Sequence, residues 1–461
     1  MPNPCRGKTI TGEMRIEMKE ILHRALLLQE KQTKIRRDFH HFAEAGWTEV
    51  RTASIIAKHL IELGYEVKLG REVISAEDRM GLPSTEDLEK HYHRALSQGA
   101  IVEYAEKLKD GFTGVVAILK NGPGPVVGMR FDIDAVEMNE PQGLERRPGR
   151  EGFASVNPGA MHSCGHDGHA AIGLGVAELL MQFKDQFSGT VKLVFQQAEE
   201  GVRGAKSIVM SGILDDVQYM LGSHIGNGAP VGSFTPGQDG MLATSKLDAV
   251  FTGKAAHAGG NPDGGKNALL AAATAVLNLY AIPRHKFGAT RINVGRFQAG
   301  TGRNVIPDKA VLALETRGET SALNQHMYDY AMRILKSSAE MHDCQLETKP
   351  MGAAQGGVSN RALMEKAASV ARELGCFHTI AERPGSVGGS EDYTYMMERV
   401  EQNGGQAIFM GLGAKLGSGG SAGASAVEGG AHTIEFDFDE TCMPLGSAIF
   451  TAIALDLAKK G

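Results

Sequence analysis

The chain has little of what would place it outside the cell or on a nucleic acid. Its 461 residues include only five cysteines, Cys5, Cys164, Cys344, Cys376 and Cys442. They are scattered and odd in number, which argues against a disulfide framework and fits reduced thiols. There is one tryptophan, and no apolar run is long enough to span a bilayer. No long basic run occurs and the formal net charge is −6, so neither nucleic acid nor membrane is an expected partner. The polar first twenty residues lack the apolar core of a signal peptide, so cytoplasmic residence is expected.

What is present describes a soluble globular protein, with 42% hydrophobic and 22% charged residues. The length exceeds one ordinary core, so two domains are expected. Glycine is abundant at 59 residues. Some of it lies in the loop Gly385–Ser390, and some in Gly417–Gly423, which reads as a flexible surface loop.

Residues 13–64 read as long amphipathic helices ending at Gly64, and residues 71–110 as a charged, exposed, helical segment. Short apolar runs of strand type follow at Val115–Leu119, Val126–Arg130, Val191–Phe195 and Met220–Ser223, with a helical pattern over Gly168–Phe183. This alternation predicts an α/β/α sandwich with helices on both faces. In such sheets ligands gather at the carboxyl ends of strands. Asp132, Asp134, Glu199, Glu200 and His224 all follow apolar runs at such ends.

Residues 243–350 read differently. Strand Lys246–Phe251, helix Asn267–Tyr280, strands Thr290–Phe297 and Lys309–Glu315, helix Leu323–Ala339 and strand Gln345–Lys349 spell β-α-β-β-α-β. That is the ferredoxin-like pattern of a small two-layer unit. It divides a first domain, 1–242 plus 351–461, from an inserted domain, 243–350. The chain then returns with helix Arg361–Leu374, strand Gln406–Met410 and helix Leu445–Lys459.

The densest chemistry lies in Met161-His162-Ser163-Cys164-Gly165-His166-Asp167-Gly168-His169. Thiolate, neutral imidazole and carboxylate are the groups that hold zinc or manganese. Cys164 and His166 flank a glycine that permits a turn, and Asp167 is placed to cap the next helix. Glu199 and Glu200 are adjacent, so their side chains diverge. One suits a metal and the other a water molecule. His224, His257 and His432, each taken alone, are ordinary structural histidines. A second reading makes Cys164 a nucleophile with His166 as its base, although two residues apart is an awkward geometry for that pair.

Five segments occur in a telling order: Arg130-Phe131-Asp132-Ile133-Asp134-Ala135, His162–Asp167, Gln197–Gly201, Ala255–Ala258 and Ser390-Glu391-Asp392. Together they resemble the amidohydrolase branch of the dinuclear metallopeptidase family, which includes aminoacylases, carboxypeptidases and indole-acetyl-amino-acid hydrolases. The likeness spans nearly the whole chain. Arg36–His41, residues 71–115 and Glu435–Glu440 are similar, within that family, to the p-aminobenzoyl-glutamate hydrolases.

The resemblance implies two divalent ions, Mn2+ or alternatively Zn2+, held by Cys164, His166, Glu200, His224 and His432. It implies Glu199 as general base, and His257 reaching the other subunit's reacting carbonyl. Asn304 and Arg317 would hold the substrate's carboxylate. Asp132 matches a carboxylate that supports a ligand rather than binding the ion. The implied activity is hydrolysis of an amide between an acyl or aroyl group and an amino acid, first of all p-aminobenzoyl-glutamate. An N-acyl or indole-acetyl amino acid is the alternative substrate. The implied partner is a related subunit or a second copy of the chain. The alternative of a different class is a weakly active partner subunit that only binds a carboxylated ligand.

Overall fold

The structure is a computed structural model that describes residues 18–417 and 430–459. Cys5, most of the polar N-terminal segment and residues 418–423 of the expected surface loop lie outside the described residues.

Twelve strands build the two sheets that position the site. In chain order they are β1 (Glu66–Leu69), β2 (Val115–Asn121), β3 (Val126–Asp132), β4 (Gly189–Gln196), β5 (Tyr219–Pro230), β6 (Ser233–Thr235), β7 (Ala243–Thr252), β8 (Thr290–Ala299), β9 (Lys309–Gly318), β10 (Gln345–Ala354), β11 (Thr379–Ile380) and β12 (Gln406–Lys415). The large sheet has the order β1-β2-β4-β3-β5-β12-β6-β11. Its middle strands β4, β3, β5 and β12 run parallel. At one edge β1 and β2 are antiparallel.

The central strands are buried along nearly their whole length, because an apolar layer covers each face. On one face Phe131 and Phe195 pack beneath helices His166–Gln182 and Cys442–Leu457, in the same core as Leu174, Ile449 and Phe450. On the other face Val194, Met220 and Phe409 meet Ile208, Met396 and Val400. Gly173 sets how closely the first helix approaches. A Cβ there would lie 2.7 Å from both the Phe131 and Phe195 rings.

The small sheet is antiparallel, in the order β8-β9-β7-β10. Helices Ala268–Tyr280 and Ser321–Met341 cover one face of it. Leu247, Ala249, Phe251 and Leu312 point into that separate core. The intervening residues, Lys246 and Asp248 among them, therefore face the other way, as the period of two demands. This is the βαββαβ arrangement expected from the pattern.

The structure departs from the sequence reading in several places. The N-terminal helical region is three helices, Met18–Leu26, Gln29–His41 and Val50–Glu62. Between the last two, buried Glu44 accepts hydrogen bonds from Arg51 N (3.2 Å) and Thr52 N (2.8 Å). It satisfies two donors that a new helix start would leave orphaned. The segment 71–110 is only partly helical, at Thr85–Ser97 and Val102–Leu108, and it buries Val73, Ile74 and Tyr92. Asp167 is not a cap, because the helix starts at His166 with Gly165 ahead of it at φ +90°. Its carboxylate accepts from Gly168 N in the first turn (2.9 Å) and also meets Arg36 (2.7 Å) and His40 (2.8 Å).

Arg36 is fully buried and also reaches Asp437 (3.1 Å) and Glu440 (3.1 Å). It lies over the Phe438 ring. One guanidinium thus ties helix Gln29–His41 to the start of helix His166–Gln182 and to the segment after His432. Burial of Asp437 would raise its carboxyl, but the Arg36 and Arg147 charges hold it down at about 2. Removing the cation takes one charge partner from three buried carboxylates and leaves them to Arg147, Arg37 and His40. Arg36→Met is expected to cost about 3–5 kcal/mol, read as a lowered midpoint in denaturant unfolding.

Candidate metal centre and active site

Turns after β3 and β4 and the middle of β5, where His224 lies, supply most of the site. Cys164 and His166 leave the turn before the long helix, where left-handed Gly165 lets both point inward. His166 Nδ1 donates to the Asp134 carbonyl at 2.9 Å, so Nε2 is the nitrogen left to carry either a proton or a cation. His224 Nδ1 likewise donates to the Ile225 carbonyl at 2.7 Å, leaving Nε2 3.3 Å from Cys164 Sγ. Both rings are oriented as ligating imidazoles are.

The Glu199–Glu200 turn is clamped from beneath. Asp134 accepts from Glu199 N (3.0 Å) and Glu200 N (2.9 Å), and Glu49 accepts from Ala198 N (2.8 Å). Ala198 and Val202 take left-handed conformations, at φ +51° and +61°. These are positions that non-glycine residues hold only when their surroundings impose them. His432, at φ +65°, is pinned by a bond from its own N–H to the Ser163 carbonyl (2.8 Å), which brings Nε2 to 3.3 Å from Glu200 Oε1.

The five expected ligands converge. Ligand atoms of Cys164, His166 and His224 lie within 4.8 Å of one another, as do those of Cys164, Glu200 and His432. His166 forms a third such group with Glu199 and Glu200. His166 Nε2 is buried without a hydrogen-bond partner, and around it lie Asp132 Oδ2 (3.6 Å), which is paired with Arg130, and Glu200 Oε1 (4.0 Å), which is paired with His432. A buried nitrogen left unpaired among carboxylate oxygens and a thiol fits a divalent cation, and the S, N, O donor set suits zinc or manganese.

Asp132 is the residue expected to support a ligand. Its Oδ1 bonds His169 Nδ1, and His169 Nε2 accepts from Ile225 N at 2.9 Å. His169 therefore has no lone pair for a metal. Asp132 Oδ2 lies 3.6 Å from His166 Nε2, inside the ligand cluster.

Several residues had no role in the sequence reading. Arg130 is fully buried and pairs with Asp132 (2.7 Å), Glu391 (2.9 Å) and Asp392 (3.4 Å), while its Nε donates to Gln196 (2.8 Å). A charged residue inside an apolar strand run was the available signal. Burial raises Glu199 well above the usual carboxylate range, reinforced by Glu391, Glu200 and Asp392. Glu200 goes the other way. Burial opposes its charge, but the bond to His432 and the charge of His166 outweigh that and lower it. Burial pushes the Cys164 thiol up to about 12, so it stays protonated near neutrality in the absence of a cation. This removes support for a Cys164 nucleophile.

A cavity of about 960 Å³ lies beside the cluster. Glu199, Glu200, Glu391 and His432 line it from the large-sheet side, and Lys246 and Arg317 from the small sheet. Glu315 holds Arg317 Nε and Nη2 at 2.9 and 3.1 Å, which leaves the Nη1 side for a ligand. His257 and Asn304 do not line this cavity. They sit together on an exposed two-stranded corner of the small domain, where Ala258 N donates to Asn304 O at 2.9 Å. Asn304 and Arg317 are thus not brought together within one chain.

Fold and cluster together define a hydrolase built around metal ligands at the rim of an α/β sheet. The chain belongs to Peptidase family M20/M25/M40, whose model matches residues 128–456. As a member it is a metal-dependent enzyme that cleaves amide bonds. It is 45% identical to one of the subunits of the p-aminobenzoyl-glutamate hydrolase of Escherichia coli (strain K12), over 93% of this chain and 96% of that one. It is also 45% identical to the indole-3-acetyl-aspartic acid hydrolase of Enterobacter agglomerans, over the same shares. A crystal structure of the aminobenzoyl-glutamate utilization protein from Klebsiella pneumoniae superposes with TM-score 0.80 at 40% identity, covering 96% of this chain and 98% of that one.

A ligand that binds only the folded state stabilises it. Mn2+ or Zn2+ at about a hundred times its dissociation constant is expected to add about 2.7 kcal/mol, seen as a rise in Tm. His224→Ala should abolish most of that rise.

Proposed function

We propose that this chain hydrolyses the amide bond between an aroyl group and glutamate, with p-aminobenzoyl-glutamate as its substrate and p-aminobenzoate and glutamate as products. The observation that carries the reading is the convergence of Cys164, His166, Glu200, His224 and His432 beside Glu199. The identity to two hydrolases of N-acylated acidic amino acids supports the choice of substrate. An indole-acetyl amino acid is the second reading, favoured by the second of those relatives.

Two divalent ions, manganese first and zinc second, would be held by Cys164, His166, Glu200, His224 and His432, with Asp132 as a supporting carboxylate beside them. When bound, such ions supply Lewis acidity to water and to the substrate carbonyl. Glu199 lies beside His166 and Glu200 at the edge of the cluster, and its raised pKa suits a group that takes and returns a proton. It takes the proton of the attacking water and returns it to the departing amine of glutamate. Arg317 holds the α-carboxylate through the side not taken by Glu315.

The small sheet with its two helices, residues 243–350, acts as a lid and dimerisation domain. Exposed Leu270, Leu277, Tyr280 and Phe297 on its outer helix and edge strand support an interface there. The partner is a second copy or a related subunit. Through that interface His257 and Asn304 complete the other subunit's site, and His257 stabilises the developing oxyanion. No described helix is long and apolar enough to cross a membrane. Four described cysteines are free, which fits a cytoplasmic, reducing setting.

Glu199→Ala should bind metal at unchanged stoichiometry, measured by elemental analysis, and lose about a hundred- to ten-thousand-fold in kcat. His257→Ala should be inactive alone. Mixing it with Glu199→Ala protein is expected to restore part of the activity, because each mixed dimer then contains one intact composite site.

A further inference from the structure

The cavity holds one cation that the proposed chemistry does not use. Lys246 lies on β7, on the face of the small sheet turned away from its core, and it lines the cavity that also holds Glu199. Directly across the ladder from it is Glu315. That carboxylate is already engaged in a two-point pair with Arg317. Among the described residues no carboxylate oxygen comes within 4.0 Å of the Lys246 ammonium. Burial lowers its pKa, and it feels the charges of Glu315 and Glu199, which puts it within electrostatic reach of the reacting end.

The register decides where it stands relative to Arg317. Thr244 pairs with Arg317 and Lys246 with Glu315, so Lys246 and Arg317 are diagonal neighbours on one face. Such neighbours are about 7–8 Å apart at the backbone. Two long cationic side chains rooted at that spacing can close on both carboxylates of one dicarboxylic amino acid. A fully paired arginine would add nothing there. A desolvated ammonium without a counterion is a strong acceptor of one.

We infer that Lys246 reads the side-chain carboxylate of an acidic amino acid in the leaving half of the substrate, while Arg317 takes the α-carboxylate. Lys246 is thus a specificity residue, and the substrate class is N-acyl aspartate and glutamate rather than neutral amino acids. The inference rests on the amidohydrolase reading above.

The test compares N-(4-aminobenzoyl)-L-glutamate with N-(4-aminobenzoyl)-L-glutamine, which differ by one charge, on the metal-loaded full chain. The wild type should prefer the glutamate compound by at least about tenfold in kcat/KM. Lys246→Met should lose about 30-fold on the glutamate compound, mainly through KM, and stay within about threefold on the glutamine compound. Lys246→Arg should keep most of the preference. Lys246→Gln serves as a second neutral variant, and unchanged melting checks the fold of each. Equal losses on both compounds, or a preference that survives both neutral variants, would overturn the inference. So would a wild type that cleaves both equally, although the amidohydrolase reading would then stand. A wild type that cleaves no N-acyl amino acid in a broad panel would remove that reading, and this inference with it.

Discussion

Crowding of like charge governs this molecule. Asp132, Glu199, Glu200, Glu391 and Asp392 are gathered in a buried space at one end of the large sheet. Five carboxylates cannot all be ionised there without cations beside them. Arg130 supplies one, wholly buried, and touches three of the five. His166 faces the remaining pair from 4.0 Å. The rest of the negative charge is what a divalent ion would balance. Unpaired His166 Nε2, with Glu200 Oε1 and Asp132 Oδ2 beside it, marks where it fits.

The same crowding separates roles. Glu199 and Glu200 are neighbours in sequence and share a turn, yet they are pushed in opposite directions. Glu200 has His432 and His166 as partners and stays charged. Glu199 faces Glu391 and Asp392 and holds a proton more readily. A ligand and a proton carrier thus arise from two identical side chains because their neighbours differ. Behind them Asp134 and Glu49 hold three consecutive backbone N–H groups, which fixes the turn that aims the pair.

The Arg36 network does comparable work at longer range. It joins the first turn of helix His166–Gln182 to the segment 437–440, a few residues past His432. The ligand farthest along the chain is therefore anchored to the same frame as Cys164 and His166. The small sheet adds charge of the other sign. Lys246 and Arg317 face the acidic end across the cavity. A substrate with a carbonyl at one end and carboxylates at the other would lie along that gradient.

Much of this was legible in the order of residues. The run around Cys164, the Glu199–Glu200 pair after a strand and the βαββαβ pattern of 243–350 are local features, carried by short-range spacing and periodicity. They marked the neighbourhood of a metal site, whereas His224 and His432 gained a place in it only through the family resemblance. The breaks in the N-terminal helices, the partial burial of residues 71–110 and the engagement of Asp167 by Arg36 were not legible. The last depends on a group more than a hundred residues away, and the others on which face a loop turns inward. Arg130 and Glu391 stood in view as motif letters, but their pairing spans 261 residues and needs the folded sheet. Sequence alone determined which chemical groups were present and on which elements they ride, because periodicity and turn preference act over a few residues. Tertiary structure alone decided which of them share a low-dielectric space, and hence which carboxylates bind, which carry protons and which cation is left without a partner.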